Sequence, residues 1–418
     1  ILRFVFWEQI EPIGVALGIA LLVIKFVMAI YVIPTGSMQP TLRGGNDYGT
    51  GDKVLVNKFI YRFEPIRRWD VIVFEFPYPI VHCSQCGYEE RGRYGAAEQP
   101  ALGPGAGCAN CGSSRKLEYL SKDYIKRCIG LPGDEIEIAD GNILIKSGGR
   151  MVFLRKTEEA QAELWVNLFA AARGRKEVSF DKYWKIRGGG AALGNGWPTE
   201  TGREMQLDYA QPSGIRAHGD KGPGGTPPGA LPELVGDVLL EVDLDRAGAK
   251  GELALRIRWN RQMLEARFQL AEARVSLFLQ GEVLISSEPI PADALRFSLA
   301  RVDGRAEIRA GSQSLFAELP LTGDSYTLSI EPSLSYSGES VGISDLRLAR
   351  DVYYTSELRG EVFAKGPSYT VPPGHYFAMG DNSPYSSDSR DWGYVPDPKM
   401  IGRALCVLMP FGRIKLIH

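Results

Sequence analysis

Two groups of residues in this sequence could do chemistry: a serine in a turn, and four cysteines in two matching pairs. Ser37 lies between Gly36 and a turn that Pro40 and Thr41 close. A serine hydroxyl becomes a useful nucleophile only when a neighbouring group activates it, most simply a base that takes its proton. This stretch therefore predicts a nucleophile only if another segment supplies the base, and is otherwise an ordinary solvated turn.

The cysteines form two pairs of the pattern Cys-x-x-Cys-Gly, with 21 residues between the pairs. They are Cys83, Cys86, Cys108 and Cys111. Paired knuckles suit tetrahedral Zn²⁺, because each tight turn puts two thiolates on one side of the ion. The spacing predicts a structural zinc, and a pair of disulfides is the alternative in an oxidising compartment. A catalytic metal is not expected, since four thiolates leave no open position, and His82 is a neighbour that could replace one ligand.

A candidate base lies in the stretch 123–134, DYIKRCIGLPGD, which predicts a strand followed by a turn. With a period of two, Lys126 shares a face with Tyr124 and Cys128, while Arg127 points to the other face. One of the two basic side chains is therefore expected to point inward. Most strand lysines are solvated, so this pattern does not by itself assign a role.

The C-terminal part of the chain holds a second polar stretch, where a short strand ending at Met379 runs into a loop dense in hydroxyls and carboxylates. The polar residues of interest in this loop are Asp381, Asn382, Ser386, Asp388 and Arg390. By itself, such a loop is equally well explained as a solvated turn.

An apolar run precedes Ser37. Residues 13–33 include one charge, Lys25, and a helix of that length spans the roughly 30 Å of a hydrocarbon core. The run ends in Tyr-Val-Ile-Pro rather than in the small residues of a cleaved signal, so we expect a retained membrane anchor. A buried core helix is the alternative, and the flanking charges are too few to set the orientation.

Most of the remaining pattern indicates β-structure. Apolar strands are predicted at 53–60 and 70–76, and a helix is predicted over 155–173. Residues 185–233 hold many Gly, Pro and Ala and little periodicity, and several short alternating strands then follow up to about residue 354. These strands predict an antiparallel sandwich that is faintly similar to the lectin-like jelly rolls. The net charge of −2 gives no reason to expect a nucleic-acid partner.

Five ordered stretches resemble the type I signal peptidases: 34–42 (PTGSMQPTL), 51–58, 70–74, 124–134 and 379–390. They follow an N-terminal anchor in the family's order, and the resemblance covers roughly residues 10–80, 120–147 and 368–418. It implies a Ser/Lys dyad with Ser37 as nucleophile and Lys126 as general base. A lysine with an ordinary pKa of ~10.4 is protonated at neutral pH, so Lys126 must be buried enough to lose its charge.

The resemblance also implies supporting roles. The oxyanion would be held by the backbone N–H of Ser37 and the hydroxyl of Thr35, where many relatives carry serine. Ser386 aligns with the hydroxyl that orients the lysine amine. The other aligned residues are Asp388 and Arg390, as a structural ion pair, and Asp381 and Asn382, which shape the turn.

The substrate implied is a membrane-held preprotein with small side chains before the cleavage site, bound as one more strand. The implied partners are preprotein signal peptides and the lipid bilayer, and no cofactor is implied for catalysis. The implied location is the cytoplasmic (inner) membrane, with one membrane pass and the catalytic domain on the extracytoplasmic side. A carbohydrate or protein ligand is considered for the sandwich.

The fold class expected is mainly β: an N-terminal transmembrane helix, a signal-peptidase-type β catalytic domain and an inserted antiparallel β-sandwich. The expected domains are a membrane anchor (1–33) and a discontinuous catalytic domain (34–147 and 366–418) with a Cys-knuckle insertion (80–115). A helix and irregular linker (148–233) and the sandwich (234–355) complete the chain.

Three other readings compete with this one. A binding protein could keep a degenerate peptidase scaffold, although retention of Ser37, Lys126, Thr35 and Ser386 argues against it. The alternating Glu241, Asp243 and Asp245 could serve glycoside hydrolysis, but they are also typical of a wet sheet face. Residues 113–116 (SSRK) match the Ser-x-x-Lys of penicillin-interacting enzymes, without a Lys-Thr-Gly partner.

Overall fold

The structure is a computed structural model that describes residues 11–22, 27–45, 50–94, 107–113, 117–172, 184–187, 192–194, 197–200, 204–209, 235–245, 249–320, 330–338, 341–356 and 368–418. Within these ranges strands dominate and the helices are short. The mainly β fold class predicted from the sequence is therefore confirmed.

The described helices are α1 (Glu11–Leu22), α2 (Glu158–Leu164) and α3 (Ser389–Trp392). The strands that precede the sandwich region are β1 (Met28–Val32), β2 (Lys53–Asn57), β3 (Val71–Glu75), β4 (Ile80–Cys83), β5 (Glu89–Arg91), β6 (Leu117–Leu120), β7 (Asp123–Gly130), β8 (Glu135–Ala139), β9 (Asn142–Ser147) and β10 (Arg150–Phe153).

The strands of the middle of the chain are β11 (Val166–Ala172), β12 (Trp184–Arg187), β13 (Ala192–Gly194), β14 (Trp197–Glu200), β15 (Glu204–Tyr209), β16 (Val238–Leu244), β17 (Gly251–Trp259), β18 (Gln262–Gln269), β19 (Arg274–Leu279), β20 (Glu282–Pro289), β21 (Arg296–Val302), β22 (Arg305–Ala310), β23 (Gln313–Glu318), β24 (Ile330–Gly338) and β25 (Ile343–Arg350). The last strands are β26 (Ser368–Thr370), β27 (His375–Met379), β28 (Val395–Pro396), β29 (Met400–Met409) and β30 (Lys415–Leu416).

The first sheet combines strands from both ends of the described chain, in the order β1-β2-β29-β3-β7-β27-β28, and β30 pairs with β29. All of its pairings are antiparallel. β29 lies between β2 and β3, so residues 400–409 complete a sheet that begins before residue 60. The two parts of the chain that hold Ser37 and the polar loop after Met379 are thereby brought together.

The central strand β3 reads VIVFE and is buried on both faces. Val71 and Val73 belong to one apolar core, whereas Ile72 and Phe74 belong to the core on the opposite side. Such an unbroken apolar run is what a strand covered on both faces requires. β7 pairs with β3 and places Lys126 directly opposite Ile72, so the lysine emerges from the middle of a covered sheet.

The apolar run at residues 13–33 differs from the prediction of one helix. α1 ends at Leu22, and Met28–Val32 forms β1, which pairs with β2 from Met28↔Asn57 to Val32↔Lys53. The prediction is wrong at this end because Ile, Tyr and Val also suit an edge strand, and the sheet offers them a partner. Among the residues that the structure describes, no helix has both the length and the apolar character needed to cross a bilayer.

Two small sheets flank the first sheet. One has the order β10-β9-β8-β26, and its inner residues pack with Phe377 and Met379 of β27. The other has the order β5-β4-β6, and Cys83 is the last residue of β4. The cysteine knuckles therefore project from a short three-stranded sheet.

The middle of the chain forms two further sheets, with orders β11-β25-β16-β21-β22-β23 and β12-β15-β24-β17-β18-β19-β20. Their inner residues share one apolar core, in which the rings of Phe268 and Phe297 are 5.1 Å apart. The alternating sequence predicted this arrangement, because residues of period two put every second side chain into the space between two sheets.

The segment predicted as a helix over 155–173 is helical only in α2, which Thr157 caps by accepting a hydrogen bond from the Ala160 N–H. The next residues form β11 because β25 provides a pairing partner for them. The stretch 185–233, expected to be irregular, contains β13, β14, β15 and most of β12. The rest of that stretch lies outside the described residues.

Candidate functional site

Ser37 and Lys126 meet in the structure, although 89 positions separate them. Ser37 lies in a short 3-10 turn, Gly36–Met38, that follows β1 and is closed by a hydrogen bond from Gln39 N to Gly36 O. Lys126 Nζ donates a hydrogen bond of 2.9 Å to Ser37 Oγ. The exposed fractions of the two residues are 8% and 3%, so the contact is nearly dry.

The surroundings of Lys126 disfavour its charged form. Burial lowers the pKa of its amine to about 8, although the carboxylates of Asp388 and Asp381 act in the opposite direction. The ring of Tyr124, two residues earlier on the same face, lies 5.8 Å from the amine. Desolvation is therefore the main cause of the shift, and it yields a substantial neutral fraction near pH 8.

The turn that carries Ser37 is fixed by the polar loop of the C-terminal part. Asn382 N donates to Ser37 O (3.0 Å), and Asn382 Nδ2 donates to Gly36 O (3.0 Å). Gly380 packs so closely that a Cβ there would lie 2.5 Å from Ser37 O and 2.2 Å from Ser386 Oγ. Only a glycine allows this approach of the two backbones.

Thr35 lies on the same side of the turn as the serine side chain. Its Oγ1 donates a hydrogen bond of 3.3 Å to Ser37 Oγ, and the residue is exposed. A hydroxyl at this position can turn toward a group that approaches Ser37.

Ser386 is brought to the same cluster but makes no hydrogen bond to the lysine amine, which the resemblance implied that it orients. Its side chain is 3% exposed, and in the part of the chain described by the structure its Oγ has no hydrogen-bond partner. The lysine amine is already directed at Ser37, which explains the difference. A buried hydroxyl without a hydrogen-bond partner raises the free energy of the protein. Any state that gives Ser386 Oγ a partner is therefore favoured.

Asp388 and Arg390 form the ion pair that the resemblance implied. Arg390 Nε and Nη2 donate to Asp388 Oδ1 and Oδ2, both at 2.8 Å, and the side chains are completely buried. Asp388 Oδ2 also accepts from Gly380 N (3.0 Å). The pair therefore holds the backbone that supports the Ser37 turn.

Asp381 forms a second buried pair, with Arg127, whose role the sequence analysis did not identify. Arg127 Nε and Nη2 donate to the two carboxylate oxygens at 2.8 and 3.1 Å, and Nη2 also donates to Thr41 Oγ1. Arg127 thus connects the lysine strand to the serine turn and to the polar loop. The sequence signal for this role was the presence of two consecutive basic residues, Lys126 and Arg127, in one strand. Both side chains point inward, because both faces of β7 are covered.

The four cysteines form a cluster of free thiols. The Sγ atoms of Cys83 and Cys111, and those of Cys86 and Cys108, are 3.6 Å apart, and all four lie within 4.8 Å of one another. Disulfide sulfurs are about 2.05 Å apart, whereas sulfurs that share a tetrahedral zinc are about 3.8 Å apart. These four sulfurs could hold a metal ion, and His82 is not part of the cluster.

The other candidate motifs have no such geometry. Asp243 is bound by Arg296 (2.8 and 2.7 Å), and Asp245 Oδ1 accepts from Gly342 N. Glu241 lies 4.0 Å from Arg296, so this carboxylate array is held in ion pairs and turns. In the stretch 113–116, residues 114–116 are outside the described residues.

An exposed apolar surface lies on one side of the first sheet. Ile30 faces Leu55, Leu55 faces Cys406, and Cys406 faces Leu416, so these side chains share a face. Ile30 is 61% exposed and Leu416 is 66% exposed. We call this surface the apolar face, and its exposed members are Ile30, Val32, Met409 and Leu416.

Comparison with known proteins gives one family. The family model described as "Signal peptidase, peptidase S26" matches residues 6–186 and 334–409, which is more than half of the chain. The sequence is 30% identical over 138 residues to signal peptidase I of Leptolyngbya laminosa, covering 33% of this chain and 49% of that protein. It is 43% identical over 60 residues to signal peptidase I of Pseudomonas fluorescens, covering 12% of this chain and 21% of that protein.

The chain thus spans about half the length, or less, of these relatives. Among solved structures, it is similar to a Bacillus subtilis protein of unknown function with a galectin-like fold. The identity is 10% and the TM-score 0.30, with 44% of this chain and 98% of that chain covered. A TM-score this low does not establish a shared fold.

Proposed function

Because the chain belongs to the signal peptidase, peptidase S26, family, we propose that it is a membrane-anchored serine endopeptidase that removes signal peptides from exported preproteins. Ser37 is the nucleophile and Lys126 the general base. The observation that carries the proposal is the 2.9 Å contact between the lysine amine and the serine hydroxyl, in a nearly dry setting.

The proposed reaction begins with a neutral Lys126. Its amine takes the proton of Ser37 Oγ as that oxygen attacks the scissile carbonyl carbon. The resulting ammonium then gives its proton to the leaving amine, which releases the C-terminal product and leaves an acyl-enzyme. In the second half, Lys126 takes a proton from water, the hydroxide attacks the ester, and Ser37 regains its proton.

The oxyanion of each tetrahedral intermediate is stabilised by the Ser37 backbone N–H and the Thr35 hydroxyl. The proposal for Thr35 is supported by its hydroxyl, which lies 3.3 Å from the nucleophile. Ser386 orients the lysine amine once that amine has taken the proton, and this would give the buried Ser386 hydroxyl the partner that it lacks. The two buried ion pairs, Arg127–Asp381 and Arg390–Asp388, hold these groups in position.

The substrate binds as an extended strand beside β7. Residues 127–130 of β7 pair with β27, whereas among the described residues no strand pairs with Asp123–Lys126 on that side. A preprotein segment that adds to this free edge would lie next to Lys126 and Ser37. We propose that small side chains precede its cleavage site, as the family resemblance implies.

The bilayer is the proposed second partner. We propose that the apolar part of the chain that precedes β1 anchors it in the cytoplasmic membrane in a single pass, with the catalytic domain on the extracytoplasmic side. The apolar face supports contact with lipid, because exposed apolar side chains grouped on one sheet face typically mark an interaction site. The serine turn follows β1, one of the strands of that face.

The cysteine cluster is proposed to bind a structural zinc ion. Four thiolates fill a tetrahedral site, so the ion would hold the two knuckles and would take no part in catalysis. Each knuckle closes on a glycine with positive φ, Gly87 (74°) and Gly112 (73°). The amides of these glycines donate to the carbonyls of Cys83 and Cys108, which is the turn that directs two thiolates to one side.

We propose the division of the chain that the sequence predicted, except for the start of the sandwich. The catalytic unit is discontinuous, 34–147 and 366–418, and 80–115 is the knuckle insertion within it. The sandwich, predicted to start at residue 234, is taken to start at β11, because β11, β12 and β15 belong to its two sheets. It is proposed as a binding module for a carbohydrate or protein ligand.

Cleavage of a model preprotein in detergent tests the proposal. Wild type is expected to release the signal peptide, whereas Ser37→Ala and Lys126→Ala are expected to lose at least about 10³-fold in rate, since a dyad acts as a unit. Lys146→Ala is the matched control, because Lys146 lies on β9 in an exposed ion pair with Glu135.

Normal cleavage by either dyad variant would contradict the mechanism. A wild-type protein that leaves every preprotein intact would contradict the proposed activity.

A further inference from the structure

The chain enters and leaves the sandwich through two short segments that also touch the support of the dyad. The entry segment, residues 154–164, precedes β11 and contains α2. The exit segment, residues 351–355, follows β25. β11 and β25 pair with each other from Val166↔Arg350 onward, so the two segments lie side by side at the base of the sandwich.

The entry segment supplies a carboxylate to Arg127. Glu163 Oε2 accepts from Arg127 Nη2 at 3.1 Å, and the Glu163 side chain is only 7% exposed. Arg127 is the residue after Lys126 and also binds Asp381, which precedes the Asn382 that holds the Ser37 turn. A displacement of Glu163 would therefore release one of the groups that fix the lysine strand against the serine turn.

The exit segment supplies two acceptors to Arg390. Arg390 Nη1 donates to Thr355 O (2.7 Å) and to Thr355 Oγ1 (2.8 Å), and Thr355 N donates to Ser383 Oγ (2.9 Å). Arg390 in turn holds Asp388, which accepts from the Gly380 amide. Each of the two buried guanidinium groups that frame the dyad thus donates to a residue at one end of the sandwich, Arg127 to Glu163 and Arg390 to Thr355.

A buried lysine fastens the two segments to the sandwich. Lys156 Nζ donates to Asp303 Oδ1 (2.6 Å) and to Asp351 Oδ2 (2.7 Å). Lys156 is in the entry segment, Asp351 is in the exit segment, and Asp303 lies in the turn between β21 and β22. Burial alone would lower the pKa of Lys156, but the two carboxylates hold its pKa above the ordinary value, so the group stays charged.

We infer that Glu163 and Thr355 are positioning residues for the proposed peptidase reaction, through which the sandwich controls the geometry of the Ser37–Lys126 pair. This inference rests on the proposed function. Glu163 acts through Arg127 and Asp381, and Thr355 acts through Arg390 and Asp388. The sandwich is then a part of the catalytic apparatus as well as a binding module.

The test compares Glu163→Gln, Glu163→Asp and Thr355→Val in the full chain, with a preprotein substrate. Glu163→Gln is expected to lower kcat about 10-fold with KM little changed, which is the effect of losing one charge-assisted hydrogen bond. Because a negative charge near Arg127 is removed, the acid limb of the pH–rate profile moves toward lower pH. Glu163→Asp keeps the charge and is expected to restore the wild-type profile.

The matched control is Glu135→Gln, which removes an exposed carboxylate paired with Lys146. If wild type cleaves the substrate and Glu163→Gln has the same kcat and pH profile as this control, the inference is overturned, whereas the proposed function is not. An inactive wild type would overturn both. If Glu163→Gln does not fold, the test uses Thr355→Val, which keeps the side-chain volume, with the same measurements. A wild-type kcat for Thr355→Val would overturn the inference.

Discussion

At the scale of single residues, the site depends on how dry Lys126 is. Its strand is covered on both faces, so the amine has few ways to reach water, and burial lowers its pKa to about 8. The carboxylates of Asp388 and Asp381 oppose this shift, and they are themselves tied to Arg390 and Arg127. Burial thus lowers the pKa of the proposed base, and the positive charge of Arg390 lowers it further by opposing the carboxylates.

The first prediction concerns the pH dependence of cleavage. The base must be neutral, so kcat/KM is expected to rise with pH and to level off above the lysine pKa of about 8. One pH unit below that pKa, roughly a tenth of the enzyme carries a neutral amine. Lys126→Arg is expected to be inactive at every pH, because a guanidinium does not lose its proton. A rate that falls as pH rises from 6 to 8 would argue against Lys126 as the base.

The second prediction concerns the oxyanion donor. Thr35→Val removes the hydroxyl and keeps the volume, so kcat is expected to fall by about 10²–10³-fold with little change in KM. Thr35→Ser keeps the donor and is expected to remain within a few-fold of wild type. Steady-state kinetics on the two variants measures this, and equal rates for Val and Ser would remove Thr35 from the mechanism.

The third prediction concerns the close approach at Gly380. An added Cβ would meet Ser37 O at 2.5 Å and Ser386 Oγ at 2.2 Å, so Gly380→Ala must displace the serine turn. Since small displacements of reacting groups are costly, a loss of about 10²-fold in kcat is expected. Gly374→Ala is a useful comparison, because a Cβ there meets no atom within 4 Å, although its positive φ of 69° adds strain.

At the scale of elements, the cysteine knuckles extend the short three-stranded sheet of β4, β5 and β6, which lies next to the proposed site. β4 ends at Cys83, and the two turns hold four thiols within 4.8 Å. The same small sheet reaches the polar loop, because Arg91 Nη1 donates to Ser387 Oγ at 3.2 Å. Loss of the knuckles would therefore loosen a neighbour of the proposed site.

The fourth prediction is that purified protein contains about one zinc per chain, and that a strong chelator lowers the melting temperature of this region. Cys83→Ser is expected to lose the metal, whereas Cys406→Ser, which is outside the cluster, is expected to keep it. Protein without zinc in which the four thiols resist alkylation until reduced would instead indicate two disulfides.

The sequence predicted the presence of strands more reliably than the residues at which they begin and end. Alternation identified β7 and the sandwich strands because side-chain period alone decides which face is buried. It could not identify β1 within an apolar run, since an apolar run is compatible with a helix or a covered strand and only the presence of β2 as partner decides. It also missed β11, whose residues become a strand because β25 is beside them.

The site was partly predictable for the same reason. The motif order indicated Ser37, Lys126 and the polar loop, which are far apart in sequence. Glu163 and Thr355 carried no signal, because their importance depends on which guanidinium group they contact after folding. The lack of a hydrogen bond between Ser386 and the lysine amine likewise depends on the direction of one side chain.

At the scale of the whole molecule, the apolar face and the free edge of β7 give the first sheet two separate surfaces, which we propose bind lipid and substrate, respectively. The fifth prediction is that Leu416→Asp lowers the cleavage rate of a vesicle-bound preprotein more than that of a soluble peptide. The expected difference is about 10-fold, the effect of withdrawing one buried apolar side chain from lipid. Phe316→Asp, on β23 of the sandwich, is the control, and an equal loss on both substrates would contradict lipid contact.

The position of β29 has a consequence for biosynthesis. This strand is hydrogen-bonded between β2 and β3, and β27 supplies the neighbour of the lysine strand, so the serine turn and its base have no common scaffold until residue 409 has left the ribosome. A nascent chain that lacks β29 is therefore expected to have no peptidase activity. The order of the strands thus makes the proposed activity depend on the synthesis of residues 400–409.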